Sequence, residues 1–213
     1  MKYADIDRIY RTLQPEQIPW YSETPPDALV KLVQDGIVRP CRAVDLGCGA
    51  GSYVIYLAGL GFDVTGVDSS PAAIRIAQAH AKKQGARCRF VVADLLGDLH
   101  EVTSTFDFAY DWELLHHIFP EDRETYIKNV YKITNPGALY FSVCFDESDP
   151  HFGGAGKYRT TQIGTTLYFS SESEIRNLTS PYFDIRELKT IDVTSKFGPH
   201  RVIYLLASRL LRS

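Results

Sequence analysis

The sequence predicts an α/β protein whose doubly wound sheet is mostly parallel and ends in an antiparallel hairpin. Three observations predict it. Between Cys41 and Phe145, short apolar runs alternate with helical stretches five times. A glycine-rich turn, Gly47–Gly51, follows the first run, and acids, Asp68 and Asp94, end the second and third. Near the end, Phe183–Thr190 and Arg201–Ala207 are strand-like runs joined by a short loop containing Gly198-Pro199. Parallel neighbours need a crossover of roughly a dozen residues or more, so that loop makes a hairpin.

Taken in order, Tyr3–Leu13 places Ile6, Ile9, Tyr10 and Leu13 at helical spacing. Pro15 and Pro19 break the pattern, and Trp20 and Tyr21 follow as two large amphipathic rings. Thr24 with Asp27 reads as a capping box, and Pro25 suits the first helical position of a helix running to about Asp35. Cys41–Leu46 is the first strand, Ser52–Leu60 the first crossover helix, and Phe62–Val67 the second strand. Ser69 or Ser70 caps the helix Ala72–Gln84, which Gly85 closes. Cys88–Ala93 is the third strand; Leu95–Thr105 has no clear period. Phe106–Trp112 is the fourth strand and Pro120–Thr134 a helix with Tyr126, Ile127, Val130 and Tyr131 inward. Asn135-Pro136-Gly137 reads as a turn before the fifth strand, Ala138–Phe145. Ser171 and Glu174 then cap one more helix.

Bulk properties narrow the function. A chain of 213 residues can bury roughly 70% of its unfolded surface, so it needs no cross-links. The net charge of −3, with no basic stripe, argues against nucleic acid as a partner. No apolar run is long enough to span a membrane, and Met1–Ile18 has no signal-peptide core. Cys41, Cys48, Cys88 and Cys144 form no Cys-x-x-Cys pair, which is the usage of a reducing cytoplasm. No group of carboxylates and histidines has metal-ligand spacing.

The glycine turn discriminates between cofactor classes. A dinucleotide fingerprint needs Gly-x-Gly-x-x-Gly, and here Ser52 takes the third position. The pattern that fits is Asp-x-Gly-x-Gly-x-Gly, from Asp45 to Gly51. It resembles the cofactor loop of class I S-adenosylmethionine-dependent methyltransferases. The stretch from Phe106 through His116-His117 to Asn135-Pro136-Gly137 is similar to small-molecule members of that family, and Pro19-Trp20 to thiopurine and tellurite-resistance methyltransferases. The resemblance implies a Rossmann-like, seven-stranded sheet. It also implies one domain: a helical cap or lid over residues 1–36, a cofactor-binding core over 37–145, and a loop, helix and hairpin over 146–213.

What the family implies for the site can be carried over residue by residue. S-adenosylmethionine would lie on Asp45, Gly47, Gly49 and Gly51, with both ribose hydroxyls on Asp68 next to Ser69. Asp94 and the backbone amide of Leu95 would read the adenine edge. Tyr110, Asp111 and Trp112 would sit near the sulfonium, where aromatic faces and a carboxylate favour a cation. Trp20 would join them from the N-terminal segment. Of the adjacent His116 and His117 at most one can face the transferred methyl, and His117 is the candidate base. The Asn/Asp-Pro-Pro-Tyr/Phe motif of base-amine methylation is missing after the fourth strand, which leaves a small-molecule acceptor. Asp146–Ser170 is long for a loop; Thr160–Phe169 could form a hairpin, and Lys157 and Arg159 could face an anionic substrate or solvent. The rival readings are a nicotinamide-dependent oxidoreductase and a non-catalytic cofactor-binding module. Oligomeric state stays open.

Overall fold

The computed structural model describes residues 5–152, 156–195 and 198–210. Its sheet follows from the apolar runs. Arg42–Leu46 (β1), Asp63–Asp68 (β2), Arg89–Val92 (β3), Phe106–Trp112 (β4) and Thr134–Phe145 (β5) are parallel, and Phe183–Ser195 (β8) and Gly198–Arg209 (β9) add an antiparallel pair. The order is β3-β2-β1-β4-β5-β9-β8, seven strands as expected. It reverses between β1 and β4, and ligands of open α/β sheets bind at such a reversal, outside the carboxyl ends of the strands.

Successive residues on one strand face opposite layers. Val44, Leu46 and Ala109 pack with Tyr126, Ile127 and Val130 of helix Pro120–Ile133 (α5). Ala43, Phe108 and Tyr110 pack on the other side with Leu29 and Leu32 of helix Asp27–Gln34 (α2) and Val54 and Leu57 of helix Ser52–Gly59 (α3). The second crossover helix, Pro71–Gln84 (α4), is capped by Ser70 Oγ on the Ala73 amide and ends at Gly85. Helix Glu172–Thr179 (α6) has the expected Ser171/Glu174 capping box.

Several boundaries differ from expectation. The Thr24 capping box does not form: α2 starts at Asp27 behind Pro26, with no side-chain cap. Asn135-Pro136-Gly137 lies inside β5, where Thr134 pairs with Phe106 and Leu139 with Phe108. The tripeptide is therefore a bulge that the strand absorbs rather than a turn that precedes it. The terminal hairpin turns before Gly198-Pro199, which already belong to β9. Tyr158–Thr160 (β6) and Thr166–Tyr168 (β7) make the small antiparallel ribbon expected within the long loop. The N-terminal stripe forms helix Ile6–Thr12 (α1), whose Ile6, Ile9, Tyr10 and Leu13 pack with Trp20, Tyr21, Ala72 and Ala73; Tyr3 lies outside the described residues.

Candidate active site

The carboxyl ends of β1, β2 and β4 surround a cavity of about 410 Å³, within the range of small-molecule sites. Trp20, Asp45, Gly47, Gly49, Gly51, Asp68, Ser69, Asp94, Leu95, Trp112 and His117 all line it. Tyr110, expected near the sulfonium, does not: it is fully buried, stacked on Phe108 at 5.3 Å beneath the floor. Asp111 is also fully buried, on the α5 side, where the hydroxyls of Tyr140 (2.6 Å), Tyr126 (2.9 Å) and Ser142 (3.0 Å) donate to it. Alternation turns Asp111 to the opposite face, and of Tyr110 and Trp112 on the shared face only Trp112, at the strand end, reaches the cavity with its ring half-exposed.

The glycine loop is shaped by what surrounds it. All three glycines have positive φ, at 76°, 50° and 79°. A Cβ on Gly49 would sit 2.5 Å from the Tyr10 hydroxyl, and one on Gly47 would sit 2.7 Å from the Leu114 side chain. Both neighbours are cavity walls. A Cβ on Gly51 would meet Ala77 and Phe90 at 2.8 Å, so that glycine serves helix-to-sheet packing. Asp68, 7% exposed, accepts from the Gly49 amide (2.9 Å) with one oxygen and from the Ser70 amide (2.8 Å) with the other. Burial raises its pKa, and those two amides work against the rise. Asp94 is exposed and accepts from the Leu96 amide at 2.9 Å. Asp45 is 2% exposed; burial raises its pKa to about 8, and the Tyr110 hydroxyl works against the rise.

The N-terminal helix closes one side. Asp7 accepts from the Ser70 hydroxyl and the Ala72 amide, each at 2.8 Å, which anchors α1 on the first turn of α4. Tyr10 is buried over the glycine loop and accepts a hydrogen bond from Trp20 Nε1 at 2.8 Å. Trp20 meets the His117 ring edge-on at 5.6 Å. His116 and His117 sit in a short 3-10 turn with their rings apart in function: His117 lines the cavity, and His116 is buried with its face on Phe145 at 4.3 Å. Burial lowers the His117 pKa to about 4, so its ring is neutral at physiological pH.

Sequence reasoning missed Tyr10, Tyr53, Leu114 and Glu113 as cavity residues. Glu113 had a legible signal: it follows β4 as Asp68 and Asp94 close β2 and β3. Its φ of 63° is in the left-handed region, which non-glycine residues seldom occupy outside functional sites. Burial raises its carboxyl to about 7. A second groove of about 870 Å³ shares Trp20, Tyr21, Ser22, Tyr53, Trp112 and Glu113 with the cavity and runs on past α2 to Ile191 and Val193 of β8. Lys157 and Arg159 contribute to neither. Lys157 is ion-paired with Glu147 and Glu174. Arg159 is 3% exposed, donates to the carbonyls of Glu147, Asp149, His151 and Gly156, and lies 3.9 Å over the Phe169 ring.

A glycine loop facing strand-end carboxylates across a reversal in strand order defines an α/β protein built to hold a nucleoside. Residues 43–137 match the methyltransferase domain family. The chain is 29% identical, over 84% of its length and 76% of the relative's, to a 2-heptyl-1-hydroxyquinolin-4(1H)-one methyltransferase of Mycobacteroides abscessus. It is 37% identical over 137 residues to a ubiquinone biosynthesis O-methyltransferase of Rhizobium leguminosarum, of which it spans 48%. A solved structure described as the conversion of a disulfide bond into a thioacetal group during echinomycin biosynthesis superposes with a TM-score of 0.82, at 25% identity, over 98% of this chain and 91% of that one. Residues 43–137 therefore hold a methyltransferase domain, and the chain is similar to class I S-adenosylmethionine-dependent methyltransferases. The cavity fits that cofactor: its volume is sufficient, side chains at Gly47 and Gly49 would crowd its walls, and Asp68 keeps one acceptor direction free on each oxygen.

Proposed function

We propose that this enzyme methylates an acidic hydroxyl on a small, flat aromatic acceptor. The observation that carries the reading is Glu113, a half-buried carboxyl at the junction of cavity and groove, with a pKa near 7 and aromatic walls on either side. When bound, S-adenosylmethionine supplies an electrophilic sulfonium methyl. Asp68 would accept hydrogen bonds from its ribose hydroxyls, and Asp94 with the Leu95 amide would take the adenine edge. Trp20, Tyr53 and Trp112 would hold the acceptor ring and keep out water. Glu113 would take the proton from the acceptor hydroxyl, which prepares that oxygen to receive the methyl. A base works best with a pKa near the working pH, which favours Glu113 over His117, whose pKa is about 4. Positioning two reactants can lower a barrier by roughly 7–11 kcal/mol, so the base adds a smaller increment. The similarity to a hydroxyquinolone and a ubiquinone-pathway methyltransferase supports an aromatic oxygen acceptor.

The whole chain is read as one catalytic domain with α1 and the residues up to Tyr21 as its lid. No helix among the described residues is long and apolar enough to cross a membrane. The four cysteines are free thiols, which supports a reducing, cytoplasmic setting. The test is a methyl-transfer assay with labelled S-adenosylmethionine on hydroxyquinolines, catechols, alkyl thiols and oligonucleotides. Labelled product is expected from the first two. Faster labelling of thiols or oligonucleotides would overturn the acceptor class, and tighter binding of a nicotinamide dinucleotide than of S-adenosylmethionine would overturn the cofactor.

A further inference from the structure

We propose that Asp149, His151 and His200 form a binding site for a divalent first-row transition ion of the zinc type, which clips the loop after β5 to the start of β9. Asp149 and His151 belong to that loop, and His200 is the third residue of β9. One donor atom from each lies within 4.8 Å of the other two. Asp149 Oδ1 is 3.0 Å from His151 Nδ1, and Asp149 Oδ2 is 3.4 Å from His200 Nδ1. A tetrahedral ion with ligands at roughly 2.0–2.1 Å holds them about 3.3 Å apart, and each histidine nitrogen lies near that distance from one oxygen of the carboxylate.

The second observation is His200 itself. It is 4% exposed, and its Nδ1 makes no hydrogen bond among the described residues, although it points at the cluster. A buried nitrogen whose nearest polar neighbour is an oxygen 3.4 Å away is poorly satisfied, and a ligated ion would satisfy it. The ring cannot easily turn away: Phe152 stacks on it at 5.8 Å with an interplanar angle of 5°, and Phe145 packs against it at 5.0 Å. The carboxylate is also held in place. The His151 amide donates to Oδ1 at 2.8 Å and the Arg201 amide to Oδ2 at 2.6 Å. Such outer bonds orient ligands in metal sites. Two imidazoles and a carboxylate suit zinc, iron or nickel and are a poor set for magnesium or calcium. His151 is one-third exposed and gives an ion its path from solvent. None of the three residues lines the methyltransferase cavity, so the ion would brace the fold and take no part in methyl transfer.

The experiment uses the tag-free, full-length protein, stripped with a chelator and titrated with Zn²⁺ against a chromophoric competitor. One equivalent per chain is expected in the wild type, with a rise in thermal midpoint and unchanged affinity for S-adenosylhomocysteine. His151→Ala, at a partly exposed position where the fold should survive, should weaken Zn²⁺ binding by at least about tenfold, since even outer partners of metal ligands are worth ten- to a hundredfold. It should also lose the tetrahedral visible spectrum of the Co²⁺ form. His200→Ala should behave likewise. His100→Ala, on an exposed residue paired with Asp98, should bind as the wild type does. No stoichiometric uptake by the wild type would overturn the proposal. So would uptake that both His151→Ala and His200→Ala retain, which would place zinc on the free thiols.

Discussion

Asp68→Ala separates cofactor recognition from general stability. The carboxylate is buried, and each oxygen already accepts one backbone amide, from Gly49 and from Ser70. One acceptor direction per oxygen remains for a pair of ribose hydroxyls. Hydrogen bonds to a charged group contribute roughly 1.5–3 kcal/mol, so losing them should weaken binding of S-adenosylhomocysteine by about ten- to a hundredfold or more, at about 1.4 kcal/mol per decade. Two amide donors are orphaned as well, at about 1–3 kcal/mol each where water cannot reach them, so the thermal midpoint should also fall. Asp68→Asn keeps the shape, yet it turns one acceptor into a donor facing an amide N–H; its affinity should lie between wild type and alanine. Asp63→Ala is the control. It sits five residues earlier at the other end of β2, 55% exposed and paired with Arg89 at 2.9 Å. A surface pair of this kind is worth about 0–1 kcal/mol. Calorimetry on all four proteins, with thermal melts alongside, is the assay. Equal loss of affinity in both alanine variants would refute the reasoning, because the effect of Asp68 would then be general destabilisation.

Three further outcomes are expected. Gly47→Val, with φ of 76° and Leu114 2.7 Å from its new Cβ, should displace a cavity wall and abolish cofactor binding while the far-ultraviolet dichroism persists; unchanged affinity would remove the loop from the site. The free Glu113 carboxyl titrates near 7, so kcat/KM should rise with pH through that value and level off above it. Glu113→Gln should lose that limb and, having no charge to bury above pH 7, should melt no lower than the wild type there, whereas His117→Gln should keep the limb; retention of the limb in Glu113→Gln would refute the assignment. Deleting residues 1–13 removes Asp7 and Tyr10 and should impair turnover more than folding, and full activity of the truncated enzyme would reduce that helix to packing.

The parts of this architecture that were legible in the sequence are those fixed by local rules. Short apolar runs and capping residues placed the strands, Ser70 and the Ser171/Glu174 box to within a few residues. Strand-end acids and a glycine turn placed the cavity, because a parallel sheet brings the carboxyl ends of its strands together whatever the helices do. The failures have a common cause. Tyr110 and Trp112 are two residues apart and face the same side of the sheet, yet one lies under the floor and the other at its edge; depth along a strand is a tertiary property. Arg159 reads as a surface cation, and only the folded loop reveals the carbonyls that surround it. His200 lies 49 residues beyond His151, a spacing no metal motif describes, and it meets Asp149 and His151 only because β9 returns beside β5.

Helix α1 and the glycine loop are one hydrogen-bonded unit. The Gly49 amide donates to Asp68, the Ser70 amide donates to the other oxygen of the same carboxylate, and the Ser70 hydroxyl donates to Asp7 on α1. Tyr10 of the same helix covers Gly49 and holds Trp20, which in turn meets His117. A shift of the glycine loop therefore reaches α1 by two routes, one polar and one aromatic, and both end on cavity walls. The Ala72 amide and Ser70 hydroxyl hold the Asp7 carboxyl below its ordinary range, so its anchoring is present above the ordinary carboxylate pKa and is lost as pH falls through the lowered value. The contact of α1 with α4 is thus intact at neutral pH, and detaching α1 would require a break at the Asp7–Ser70 end or at the Tyr10–Trp20 end. Asp7→Asn loosens only the first, Tyr10→Phe only the second, and a double-mutant cycle on cofactor off-rates measures the coupling between them. Additive effects would mean that the two routes act independently, whereas a single closing motion requires that either substitution alone accounts for most of the loss.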